Sequence, residues 1–274
     1  MSLLLALGAS LAWGVADFAG PLKGRTLGAL PVLLWAQAAG IVALAIAVAA
    51  RGRAPHDPAV LLAIPAAVSG TLGIYSYYRG MATGTMSVVA PIAGASAIVP
   101  VIFGIATGDH PSAAQVAGIA CALVGVVLAS QEHQEGRRRL AAGVWLALLA
   151  AVGFGFYFPP MHAAGHADFW WASLIFRVTA GVTILAAVSV RRPPVRLGAR
   201  DIAIVSAVGI GDTIGNVLFA ASSAHGLVSL TAVLASLYPI VTIALAAAVL
   251  RERVSLPQRV GIVLTLAGVV LISF

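Results

Sequence analysis

Apolar residues occur along this chain in long continuous runs, separated by short stretches of turn-forming or charged residues. A membrane-spanning α-helix needs about 20 consecutive, mostly apolar residues. Ten runs of suitable length lie near 3–20, 29–50, 59–78, 85–107, 113–130, 140–160, 169–190, 202–222, 227–250 and 257–273. A turn or loop is expected at Pro21 to Arg25, and another around Pro159–Pro160, before His162 and His166. The pattern predicts an all-α membrane protein with ten transmembrane helices.

The fifth and tenth runs are nearly identical in sequence. Residues 115–130 and 258–273 share nine of sixteen residues at an offset of 143, including the flanking Gln and Ser and two Gly. At offsets of 141 to 143, Asp109 also pairs with Glu252, and Gly70-Thr-Leu-Gly73 pairs with Asp212-Thr-Ile-Gly215. The chain therefore reads as two repeats, 1–136 and 137–274, with the boundary between Gln131 and Arg139.

Each repeat contains five spans, so the second repeat crosses the membrane in the opposite sense to the first. Inverted repeats of this kind are a transporter architecture, with the solute site near the membrane midplane at the repeat interface. Small residues let membrane helices approach closely. Gly118, Gly125, Gly261 and Gly268 therefore predict that the fifth and tenth helices pack on each other.

The distribution of basic residues gives an orientation. Loops after odd-numbered helices carry thirteen Lys or Arg residues, whereas loops after even-numbered helices carry only Arg51 and Arg53. Because cytoplasmic loops are enriched in Lys and Arg, the count places both termini outside.

The sequence resembles the EamA-type branch of the drug/metabolite transporter superfamily over essentially its whole length. The resemblance rests on Trp13-Gly14, on Asp109 and Glu252 closing helices four and nine, on the Gln-x-x-Gly-Ile…Gly-Val-Val-Leu ending of each half, and on Ser236-Leu-Tyr-Pro239. It departs in helix four, where Gly94-Ala-Ser-Ala97 has its proline displaced to Pro100, and in helix two, where Ala36 matches Arg177. The resemblance implies a transporter with both termini in the cytoplasm, so the orientation stays open.

Three charged residues fall within the predicted spans: Asp17, Arg177 and Asp212. A charge at the centre of a membrane helix costs about 2.5–3.5 kcal/mol and needs a partner or a water-filled cavity. Asp212 has Asn216 one turn on and Arg177 at similar depth in the preceding helix. The two charges form either a static ion pair, or a site where Asp212 holds an ammonium group or a proton and Arg177 holds a carboxylate.

Asp17 admits two interpretations as well: it lines the mouth of a cavity, or it caps the end of the first helix against Lys23 and Arg25. Aromatic side chains often line organic-solute cavities. Trp13, Tyr75, Tyr78 and Tyr157 are the aromatic candidates for substrate contact.

Composition narrows the function. The chain has 274 residues, 61% hydrophobic and 9% charged, and a net charge of +7 without any nucleic-acid motif. It carries one cysteine and no P-loop, so neither a Cys-based metal site nor direct use of ATP is expected, and no cofactor is predicted. We expect a monomeric, multi-pass protein of the inner membrane that carries a small metabolite such as an amino acid, with or without protons. A lipid-carrier flippase and an intramembrane enzyme are the alternatives.

Overall fold

The computed structural model describes residues 1–83, 93–129, 140–249 and 256–272, and all regular structure within these ranges is helical. The helices are α1 (Ser2–Leu27), α2 (Ala29–Arg51), α3 (Ala63–Thr83), α4 (Ile98–Thr107), α5 (Ala113–Ala129), α6 and α7 (together Leu140–Arg191), α8 (Ala199–Ser223), α9 (Val228–Ala235 and Tyr238–Val249) and α10 (Leu256–Ile272). Short 3-10 turns, Pro58–Leu62 and Ala95–Ala97, precede α3 and α4. The expected repeat boundary and Glu252 lie outside the described residues.

The longest helical stretch, Leu140–Arg191, consists of two helices joined at Asp168, whose φ of −164° and ψ of 107° are extended. We number the parts before and after this break α6 (140–167) and α7 (169–191). The ring centroids of Tyr157 in α6 and Phe176 in α7 are 5.3 Å apart, and both side chains lie against Gly70 in α3. The two parts therefore fold back on each other as a hairpin.

Among the described residues, five helical segments are long and apolar enough to cross a membrane. They are Ser2–Leu27, Ala29–Arg51, Pro58–Met81, Trp145–Arg191 and Ala199–Ser223. Shorter apolar helices occur at Ile98–Thr107, Ala113–Gly125, Val228–Thr242 and Arg259–Gly268. The structure thus supports a multi-pass membrane protein.

Two predicted loops are wrong. The first helix does not end at Pro21 but runs to Leu27, and the chain turns at Gly28, whose φ is +84°. Proline lacks an N–H, so the helix continues without a donor for the carbonyl one turn earlier, that of Asp17. His162 and His166 are likewise helical, in the last turns of α6. A proline therefore does not mark the end of a membrane helix, because neighbouring helices can satisfy the backbone groups that an interior proline leaves free.

The prediction for α5 and α10 is confirmed. Gly125 lies against the backbone of Thr265 and the carbonyl oxygen of Gly261, and Gly268 lies against the backbone of Ala122 and the carbonyl oxygen of Gly118. A side chain at Gly125 or Gly268 would overlap the backbone of the other helix, so α5 and α10 are in direct contact at these glycines.

Other close contacts also recur at equivalent positions of the two halves. The contact of Gly14 with Val241 is matched by that of Gly155 with Val99. The contact of Gly73 with Phe154 is matched by that of Gly215 with Trp13. The matched residues are separated by the sequence offsets of 141 and 142 that relate the repeats. The two halves therefore make close contacts with each other at equivalent positions.

The α6–α7 turn is held by an ion pair. Asp168 accepts hydrogen bonds from the Arg51 guanidinium at 3.1 Å and from the backbone N–H groups of Trp170 and Trp171 at 2.9 and 3.2 Å. Partial burial acts to raise the pKa of Asp168, but these hydrogen bonds and the Arg51 charge outweigh it and hold that pKa below its ordinary value of 3.8. The turn is therefore stabilised by the ionised carboxylate.

A lowered pKa in the folded state gives stability that is present above the ordinary pKa and lost as the pH falls through the folded value. We expect Asp168→Asn to lower the free energy of unfolding by about 1 kcal/mol at pH 7, with the difference from wild type shrinking below about pH 4. Thermal unfolding in detergent at pH 7 and at pH 3 measures this. A difference independent of pH would contradict the role of the ionised carboxylate.

Candidate functional site

A cavity of about 80 Å³ lies between the two halves. Its walls come from α1, α2 and α3 of the first half and from α6, α7, α8 and α9 of the second. The aromatic side chains in the wall are Trp13, Tyr78, Phe154, Tyr157, Phe158, Phe176 and Tyr238. The polar ones are Asp17, Gln37, Thr71, Asp212 and Asn216. The interior is thus an aromatic space with a few polar groups, which is the usual composition of an organic-solute site.

Arg177 and Asp212 form an ion pair at this cavity. Nη2 of Arg177 donates to Oδ2 of Asp212 at 2.5 Å, and Nη1 donates to Oε1 of Gln37 at 2.9 Å. The Arg177 side chain is fully buried, whereas that of Asp212 is 32% exposed. A side chain at Gly40 would overlap the Thr213 hydroxyl, so α2 and α8 pack closely beside this ion pair. Asp212 therefore faces the cavity while Arg177 lies behind it.

Tyr157 and Asn216 form a second polar contact, in which the tyrosine hydroxyl donates to Oδ1 of Asn216 at 2.9 Å. Around them the rings of Trp13, Phe158 and Phe219 pack edge to face or tilted, with centroids 5.0–6.3 Å apart. Such aromatic packing gives this end of the cavity a rigid wall.

Asp17 is 8% exposed, and its side chain lines the cavity. The expected partner Lys23 instead donates to Asp201 at the start of α8, at 2.6 Å. No hydrogen bond or ion pair joins the Asp17 carboxylate to another residue in the part of the chain that the structure describes. The helix-cap interpretation of Asp17 is therefore wrong, because α1 continues past it and Lys23 is engaged elsewhere.

The structure brings most of the predicted site residues together. Six line the cavity: Trp13, Asp17, Tyr78, Tyr157, Asp212 and Asn216. Arg177 reaches it through Asp212. Tyr75 does not line it: this side chain lies in a separate groove of about 320 Å³ between α2, α3 and α7, which also includes Thr71 and Arg191.

Gln37 and Thr71 belong to the site but were not predicted. Each is a single uncharged polar residue within an apolar run, which was the only signal in the sequence. Gln37 follows Ala36, the position that matches Arg177 in the repeat. The polar side chain of the first half is therefore one residue beyond the position equivalent to Arg177. Tyr238 lies in the cavity wall as well, and the sequence offered only its aromatic character.

The apolar helices and the cavity between them define a multi-pass membrane protein with an internal polar site. The model of the EamA-like transporter family matches residues 1–131 and again 141–274. The chain belongs to this family, which places it among the transporters of the drug/metabolite transporter superfamily, in agreement with the sequence resemblance.

The fold is found in solved structures as well. One of them, titled "Crystal structure of protein", matches with a TM-score of 0.78 and 20% identity, over 98% of this chain and 95% of the other. At that identity the likeness concerns the fold alone. The search of curated proteins gives no match.

Proposed function

We propose that this protein is a secondary transporter that moves a small polar or amphipathic metabolite, such as an amino acid, across the cytoplasmic membrane by alternating access. The observation that carries the proposal is the ion pair of Arg177 and Asp212 at a cavity between the two halves. Burying a charge pair in a membrane bundle costs free energy. Binding of a solute at the cavity is a function that accounts for keeping such a pair.

The proposed architecture is ten membrane spans in two inverted repeats, 1–136 and 137–274. The duplicated family match, the equivalent glycine contacts and the odd number of predicted spans in each half support it. In this arrangement Lys23–Asp201 and Arg51–Asp168 lie on opposite faces of the membrane, because α1 and α2 run in opposite directions.

The size of the cavity supports alternating access. At about 80 Å³ it is smaller than the roughly 300–1,000 Å³ of open ligand pockets. In the proposed mechanism, helices separate at one end of the cavity to admit or release a solute. Because the walls come from one chain, the proposed transporter is complete as a monomer. The chain has no P-loop, so an ion gradient, with protons as the first candidate, or solute exchange would drive it.

Filling the cavity tests the proposal. Ala16 is 4% exposed and lines the cavity, whereas its neighbour Val15 is 47% exposed on the outer surface of α1. We expect Ala16→Phe to reduce uptake of labelled amino acids and amines into proteoliposomes at least tenfold. Val15→Phe is the matched control and should retain near wild-type uptake. Imposing or omitting a pH gradient separates proton coupling from exchange.

Wild-type-like uptake by a folded Ala16→Phe protein would remove the cavity from the transport route. Absence of uptake of every solute tested in the wild-type protein, with or without a gradient, would count against transport of this solute class.

A lipid-carrier flippase is the second candidate, and the groove between α2, α3 and α7 favours it. Leu30, Val68, Leu72 and Ile184 give this groove apolar walls, and Thr71 lines both the groove and the central cavity. A lateral path for a lipid-linked solute would pass Thr71. Transbilayer movement of a fluorescent polyprenyl-phosphate lipid in proteoliposomes distinguishes this function from solute transport.

A further inference from the structure

We propose that Asp17 binds the ammonium group of the solute, so that the cavity selects small organic cations over neutral and anionic analogues. This inference rests on the proposed transport function and specifies the solute class for the same cavity. It also changes the role expected for Asp212, which we predicted from the sequence as the ammonium ligand.

The cavity has two carboxyl groups but only one counter-ion among the described residues. Asp212 is neutralised by Arg177 at 2.5 Å. Asp17 lines the same cavity at 8% exposure and has no such partner in the described ranges. The Asp17 carboxyl group is thus without a counter-ion in a mostly apolar space, where its ionised form is costly. A bound cation compensates that charge.

An anionic solute finds no comparable partner. Arg177 adjoins the site through Asp212, but its side chain is fully buried. Two of its nitrogen atoms donate to Asp212 and Gln37, and it is not in the cavity wall. An anion would have to displace Asp212 from Arg177 and approach two carboxylates. The geometry therefore disfavours anions.

The other groups in the wall suit an ammonium ion. Trp13, Tyr78 and Tyr238 line the cavity with Asp17, and aromatic faces attract cations. The hydroxyl oxygens of Thr71 and Tyr238 are buried without a hydrogen-bond partner among the described residues. Each can accept an N–H.

Three compounds of equal length test the charge selectivity: n-butylammonium, 1-butanol and butyrate. The full-length protein is purified in detergent, and binding is measured by titration calorimetry at pH 7. We expect n-butylammonium to bind at least tenfold more tightly than either analogue. Asp17→Asn keeps the shape of the side chain and should weaken n-butylammonium binding at least tenfold. Asp57→Asn, at the exposed N-cap of the 3-10 helix Pro58–Leu62, is the matched control and should bind like wild type.

Preference of the wild-type protein for 1-butanol or butyrate would overturn the proposal without any variant. Unchanged n-butylammonium binding in a folded Asp17→Asn protein would overturn it too. If labelled solutes are transported but butylammonium is not preferred, the cation site is wrong and the transport function stands. If butylammonium binds through Asp17 and no solute is transported, the site stands and the transport function fails.

Discussion

Asp212→Asn is expected to be among the most destabilising single substitutions in this protein, because it leaves the fully buried Arg177 guanidinium without its counter-ion. Removing one partner of a buried ion pair costs about 3–5 kcal/mol. Since the Asp212 side chain is 32% exposed, we expect a loss at the lower end of that range, about 3 kcal/mol in the free energy of unfolding. Reversible unfolding in mixed detergent micelles measures it.

Replacing both partners at once distinguishes a lost ion pair from an unpaired charge. The double variant Arg177→Gln with Asp212→Asn has no charge left to bury, so its free energy of unfolding should exceed that of Asp212→Asn alone. Asp201→Asn, at the partly exposed pair with Lys23, is the control and should cost at most about 1 kcal/mol. A double variant less stable than both single variants would show that the pair does not act as a unit.

Asp212→Asn also separates the two interpretations that the sequence left open. A protein that folds and exchanges solute, but no longer responds to a pH gradient, would place Asp212 in proton coupling. Unimpaired gradient-driven uptake would restrict Asp212 to the static pair with Arg177.

The second large effect is expected at the glycines of α8. A Cβ added at Gly209 would overlap the backbone of Ala36 in α2, which cannot move without separating the helices. Gly209→Ala should therefore lower the free energy of unfolding by about 3 kcal/mol, the upper part of the range for overpacking. At Gly215 the added Cβ would meet the Trp13 ring in the cavity wall, so Gly215→Ala should reduce solute binding as well as stability.

Gly211 provides the matched control within the same helix. The nearest atom to a Cβ added there is the Ala12 carbonyl oxygen, at 4.0 Å. Gly211→Ala should be neutral or stabilise the helix by up to about 1 kcal/mol, since glycine is the less favourable helix residue. Equal losses for the substitutions at Gly209 and Gly211 would show that the cause is helix conformation and not the contact with α2.

The contacts that follow from periodicity and from the repeat could be predicted from the sequence. Arg177 and Asp212 lie on consecutive antiparallel helices at similar depth. The boundaries of the two spans were therefore enough to predict that these residues lie close together. The packing of Gly125 and Gly268 followed from their equivalent positions. Both arguments depend on the position of a residue along its helix, which follows from the spacing in the sequence.

The residues that the sequence did not place depend on rotation about the helix axis. Tyr75 and Tyr78 are three residues apart, yet Tyr78 lines the cavity and Tyr75 lies in the groove between α2, α3 and α7. Nearly every face of these helices is apolar, so hydrophobicity does not distinguish a cavity-facing position from a lipid-facing one. For the same reason, the sequence did not show that Lys23 pairs with Asp201 and that Asp17 has no ion-pair partner among the described residues.

The interlocking of the two halves has a consequence for synthesis of the protein. The glycines at 14, 73, 125 and 155 each fit against a residue of the opposite half, so these contacts are missing until both halves are in the membrane. The helices from α6 to α10 occupy residues 140–272, which a ribosome translating about 5–20 residues per second needs roughly 7–27 seconds to add. In the proposed ten-span arrangement, Asp17 is already in the membrane during that interval, and the helices of the second half that enclose it have not yet been synthesised. The first five helices must therefore persist in the bilayer, with this carboxylate unshielded, for as long as translation of the second half takes.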